Sequence, residues 1–140
     1  MTDKIIQLIE AEPMMLSYKM LLLVIMCDAA DENGRVSLSK LAERFKAFFA
    51  ERAAIGKVPE NPEPFKAQPI LARSAEEWER VIRDEPVRRM HPGSILEEEN
   101  AVAWARDIRQ NWSPEVRDRI RATAWDRLTA YYDRRVPGGF

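Results

Sequence analysis

One cysteine, Cys27, and one histidine, His91, are all that this 140-residue chain holds of the two residue types most often found at metal and nucleophile sites. A single thiol excludes an intramolecular disulfide framework and suits a reducing compartment. His91 has no second histidine or cysteine near it in sequence, so it lacks the partners of a metal site or of a thiol and imidazole pair, and it reads as a loop or cap residue. Cys27 lies inside an apolar run and reads as a small core hydrophobe. Glycine is scarce too. The five glycines, Gly34, Gly56, Gly93, Gly138 and Gly139, have no spacing that makes a phosphate-cradling loop, which disfavours an NTPase or a dinucleotide enzyme. The longest apolar run, Met20 to Met26, stands between Lys19 and Asp28 and falls short of the roughly 20 residues that a bilayer span needs. Asp3 and Glu10 precede that run and no small-residue cleavage site follows it, so it does not read as a secretory leader. The expectation is a soluble cytoplasmic protein with no membrane partner, metal or cofactor.

What remains is the material of one compact domain over 1–140. The chain is 46% hydrophobic and 32% charged, with 22 basic and 23 acidic side chains and a formal charge of −1. A domain of this size buries roughly two thirds of its unfolded surface, enough to fold without staples.

Helical periodicity dominates. Ile5, Ile6 and Ile9 share one face of a lead-in that Glu12-Pro13 interrupts; the segment from about Met14 to Ala30 is apolar nearly all round and reads as the central buried helix. Asp31-Glu32-Asn33-Gly34 closes it, with Gly34 suited to a left-handed turn. Ser37 is placed to cap a helix whose Leu38, Leu41, Ala42, Phe45, Phe48, Phe49 and Arg52 fall on one face, up to a stop at Gly56. A Pro-rich loop at 57–70 holds four prolines. Ser74 and Glu77 form a capping box ahead of Trp78, Val81 and Ile82, and Pro86 ends or kinks that helix. From 94 to 105 two readings stand: a helix bearing Ala101, Trp104, Ala105 and Ile108, or a short β-hairpin with Ile95-Leu96 and Val102-Ala103-Trp104 as strands around Glu97 to Asn100. Ser113-Pro114-Glu115 opens a long C-terminal helix whose Val116, Ile120, Ala124, Leu128 and Tyr131 face one way.

Few constellations point to chemistry. Ala29 to Lys40 imitates a calcium loop, yet its first position is Ala29 and its twelfth, which must supply a bidentate carboxylate, is Lys40; it reads as a helix-turn-helix corner. Glu97, Glu98 and Glu99 are consecutive, so their side chains diverge and make no acid and base pair by themselves. With one histidine and no nucleophile motif, the chain reads as noncatalytic. The informative bias is in the bases: residues 71–140 hold 13 arginines and no lysine, balanced by 13 acids. Arg73, Arg80, Arg83, Arg88 and Arg89 cluster around Pro86, where guanidinium forks could meet phosphates, although i, i+4 pairing with acids on the same face accounts for much of the pattern.

Leu16-Ser17-Tyr18-Lys19, then Gly34-Arg35-Val36-Ser37-Leu38, an aromatic-rich helix ending in Glu51-Arg52, a proline loop, and Asp126-Arg127-Leu128 with Tyr131-Tyr132 follow one another in an order that covers most of the chain. This order resembles a poorly characterised helical, winged-helix-like module appended to bacterial phospholipase D-type nucleases and DEAD-box-type helicases of defence systems. In that module an "NP" element is expected where Glu85-Pro86 stands here, and no nuclease or helicase segment accompanies this chain. The resemblance implies a mainly α fold with a helix-turn-helix or winged-helix-like core, and a noncatalytic DNA-binding or accessory role in a bacterial or phage genome-conflict setting. Arg73, Arg80, Arg83, Arg88 and Arg89 are then the expected phosphate contacts. The alternative is an adaptor for a protein partner such as a nuclease or helicase subunit, contacted through exposed parts of Trp104, Trp112 and Tyr132 with nearby arginines.

Overall fold

The computed structural model describes residues 2–61, 69–90 and 93–140, and within them the chain is mainly helical. In order it forms α1 (Thr2–Ala11), α2 (Tyr18–Ala29), β1 (Arg35–Ser37), α3 (Leu38–Ala54), α4 (Ala75–Ile82), β2 (Ile95–Glu97), β3 (Ala101–Trp104), α5 (Arg106–Gln110) and α6 (Pro114–Arg135). No helix among the described residues is long and apolar enough to cross a membrane. His91 and the stretch 62–68 of the proline loop lie outside the described residues.

The helix starts follow local chemistry. Ser37 Oγ accepts from Lys40 N at 3.1 Å, Ser74 and Glu77 bond reciprocally as a capping box, and Ser113 Oγ accepts from Val116 N with Pro114 in the first turn. Gly34, at φ 74°, allows the turn between α2 and β1. Pro86 does not end its helix: Arg83–Val87 widens into a π-helical turn, and helical backbone continues through Arg89. A wider turn relieves the clash of the proline ring with the preceding carbonyls.

The segment 94–105 resolves as the hairpin. β2 and β3 pair antiparallel with Ile95 opposite Trp104 and Glu97 opposite Val102. β3 also pairs with β1, Arg35 opposite Ala103 and Ser37 opposite Ala101, so the sheet order is β1-β3-β2. β1 is a strand that the turn and cap signals around it conceal.

α2 is buried from Tyr18 to Cys27 except at Lys19, packed chiefly on α6 and also on the π-helical turn, α3 and β1, with α3 and α4 packed on each other beside it. Tyr18, Phe45, Phe49 and Trp78 fill that junction; Phe49 and Trp78 stack with ring centres 5.3 Å apart, and Tyr18 meets them edge-on. Cys27 is buried in this core, and burial pushes its thiol up to about 12, the behaviour of a packing residue.

Candidate functional site

The hairpin folds back onto the π-helical turn and brings carboxylates against the arginines. Glu97 holds Arg88 with both oxygens, Nε at 2.9 Å and Nη2 at 3.0 Å, while Asp84 takes Arg88 Nη1 at 3.1 Å. Arg83 lies 3.8 Å from Glu97 and donates Nη2 to the Glu99 carbonyl at 3.0 Å; Arg89 pairs with Glu85 at 3.1 Å. The hydrogen bonds from Arg88 hold the Glu97 carboxyl below the usual carboxylate range. Arg73 is buried, donating Nη1 to the Tyr18 hydroxyl at 2.7 Å with its guanidinium over the Trp78 ring at 4.7 Å. Only Arg80 of the five is exposed without an ion pair among the described residues. Of the outward-facing basic cluster expected from the sequence, Arg73 is instead an internal brace, while Arg83, Arg88 and Arg89 are paired with acids of their own chain and Arg80, Arg88 and Arg89 stay exposed. Two of those matches are the i, i+4 pairs Asp84–Arg88 and Glu85–Arg89. The third comes from strand pairing, which no local spacing announces.

The expected partner-facing aromatics also turn inward. Trp104 and Tyr132 are buried, so neither presents a face to a partner in this conformation; Trp112 is half-buried against Trp104, ring centres 5.4 Å apart. Tyr132 is covered by the Arg52 guanidinium at 3.9 Å and donates its hydroxyl to the Pro59 carbonyl at 2.7 Å.

A residue that sequence reasoning passed over, Glu60, gathers the resemblance-bearing motifs together. Its buried carboxylate accepts from Ser17 N at 2.9 Å, from the Ser17 hydroxyl, from the Tyr131 hydroxyl at 2.5 Å and from Asn61 N at 2.7 Å. Arg52, also buried, donates to the carbonyls of Val58, Gly139 and Phe140. Burial pushes the Tyr18, Tyr131 and Tyr132 hydroxyls above the ordinary tyrosine range, and Glu60 adds to the effect on each. A buried carboxylate with this many donors is a fastening for the proline loop. One signal for it stood in the sequence: an acid among prolines, with Ser17, Arg52 and Tyr131-Tyr132 left polar on faces that otherwise pack.

A groove lies beside Pro86. Pro13, Met15, Leu16 and Pro86 line its volume of about 400 Å³ together with Lys19, Glu85 and Arg89, and Met15 is 80% exposed. Lys19 is engaged by Glu12 at 3.3 Å. The groove is lined in part by apolar and in part by charged side chains.

No cluster of three metal-ligating side chains occurs among the described residues, and Asp31, which the calcium-like loop would use, spends its Oδ1 on Asn33 N at 2.8 Å and Arg35 N at 3.0 Å. Comparison of the chain with protein-family models, curated proteins and solved structures finds no match in any of the three.

Proposed function

We propose that the chain is a noncatalytic accessory module with a winged-helix-like core that docks onto a partner protein, as a nuclease or helicase subunit of a bacterial or phage defence system would require. The order α2-β1-α3-α4 followed by the β2–β3 hairpin, with sheet order β1-β3-β2, supports the winged-helix-like reading, α3 and α4 being the helix pair and the hairpin the wing. The observation that carries the docking reading is the charge of that wing and of the second helix of the pair. Residues 75–99 hold eight carboxylates against four arginines, and three of those arginines are already matched internally. A surface with this balance repels phosphates and removes the counterion release that drives DNA binding.

The groove beside Pro86 is the docking place. Its occupant is a partner segment that places one large apolar side chain on Pro13, Leu16 and Pro86, next to an acidic residue. Met15 adapts to the apolar group, and Arg89, paired with Glu85 yet 68% exposed, offers its guanidinium to the acid. Peptides selected on the protein from a random displayed library should carry that apolar and acidic pair, and Met15→Glu should weaken them at least tenfold. Selection of peptides without the pair, or equal binding by Met15→Glu, sinks the proposal.

DNA contact through the arginines around Pro86 is the second reading, and one observation favours it: Arg80 has no ion pair among the described residues, and Arg88 and Arg89 retain 54% and 68% of their surface. Fluorescence anisotropy with duplex and single-stranded DNA at about 50 mM salt tests it; binding that falls steeply as salt rises would replace the docking reading.

A further inference from the structure

A second hollow, of about 310 Å³, lies away from the groove, where the end of α2, the turn through Gly34, the end of β3 and the start of α6 meet. Trp104 and Trp112 form one wall. Two buried donors in that wall have no acceptor among the described residues, the indole Nε1 of Trp104 and the Nε of Arg109. Buried donors are nearly always satisfied, so a pair of orphans lining one hollow calls for a partner. Both lie close to Gly34. A β-carbon on Gly34 would stand 3.6 Å from Trp104 Cδ1 and 2.8 Å from Arg109 Cδ, and each of those carbons is bonded to one of the orphan nitrogens.

Arg109 also covers the site. Its methylenes lie across Gly34 beside the Cδ1 edge of the indole, yet the half-buried side chain is held there by one long bond, Nη1 to the Asn33 carbonyl at 3.3 Å. The charges around the hollow choose the ligand class. Asp28, Asp31 and Glu32 line it with Arg109 and Arg117, and Asp28 clasps Arg121 with both oxygens at 2.7 and 3.1 Å, so acids and bases balance; with no excess of positive charge the hollow favours an uncharged ligand, to which it offers an aromatic wall and a neutral donor.

We propose that this hollow binds a small uncharged planar heterocycle of the nucleobase type, which lies on Trp112 and accepts the Trp104 indole hydrogen when Arg109 swings aside. Ring stacking supplies attraction that any planar heterocycle shares, and the indole donor fixes its orientation. This site is independent of the groove beside Pro86, and its failure leaves the docking proposal untouched.

The test titrates the full chain with adenosine, guanosine, cytidine and uridine while following the Trp104 indole N–H resonance, identified by its loss in Trp104→Phe. At least one nucleoside should move that resonance downfield, and its 5′-monophosphate should bind more weakly. Trp112→Leu should weaken binding about tenfold, and Arg109→Ala should bind as tightly or more tightly. A Trp104 resonance that none of the four nucleosides moves overturns the proposal, as does tighter binding of the monophosphate or undiminished binding by a folded Trp112→Leu. The wild-type titration decides the matter even if that variant does not fold.

Discussion

Glu97 clasps Arg88 with both carboxylate oxygens across a gap of nine residues, joining the tip of the β2–β3 hairpin to the turn that carries Pro86. The clasp ties down a guanidinium that would otherwise belong to the surface field. Carbon-detected NMR should find the Glu97 carboxyl titrating below the unperturbed glutamate value of about 4.3. Arg88→Ala should move the midpoint up toward that value. Because the folded carboxyl is depressed, its contribution to stability is present above the unfolded value and is lost as pH falls through the folded one.

Releasing the same arginines tests what the acids do to recognition. Glu97→Gln removes one acidic partner from both Arg83 and Arg88, leaving Arg88 its pair with Asp84, so its affinity for duplex DNA at about 50 mM salt should exceed that of the wild-type chain, with a steeper salt dependence. Anisotropy measures both. Equal affinity would mean that the Glu97 pairs do not limit phosphate contact.

Glu60→Ala should be among the most destabilising single changes. It strands the Ser17 and Tyr131 donors inside the core, a loss of about 2–4 kcal/mol from unsatisfied groups and the cavity together. Urea unfolding would show a lower midpoint at unchanged slope. Glu60→Gln, which keeps an acceptor oxygen, should lose less.

All three tyrosines of the chain are held neutral by burial. The unfolded hydroxyls ionise near pH 10, so stability is fully present below that value and declines as pH rises toward the raised folded values. Ultraviolet titration should show no tyrosinate until the chain unfolds, and then all three together. Separate ionisation of one tyrosine in the folded chain would contradict the burial of that residue.

Gly34→Ala should cost about 1–2 kcal/mol, because φ 74° places an L side chain in the left-handed region. Adding Arg109→Ala removes the contact at 2.8 Å but not the backbone strain, so most of the loss should persist in the double variant. Full recovery would locate the cost in the side-chain contact instead.

The helix starts at Ser37, Ser74 and Ser113 are legible in the sequence because each is settled within four residues by a side chain and a backbone N–H. The inward face of α3, Arg52 included, follows from spacing alone. The 94–105 segment stays ambiguous in sequence because its strands are decided by pairing with each other and with β1, far back in the chain. The candidate site divides the same way. Asp84–Arg88 and Glu85–Arg89 are written in the i, i+4 spacing, whereas Glu97 reaches Arg88 only through the hairpin, and Glu60 meets Ser17 and Tyr131 only through the tertiary fold. Trp104 and Tyr132 illustrate a further limit: aromatic type favours interfaces and cores alike, and burial alone decides between them.

The packing of α2 on α6 has a consequence in time. α2 ends at Ala29 and its main cover begins at Pro114, so at ordinary translation speeds of about 5–20 residues per second the oiliest helix waits several seconds on the ribosome before its partner is made. During that interval its apolar surface lacks its main cover, and the making of α6 ends that exposure.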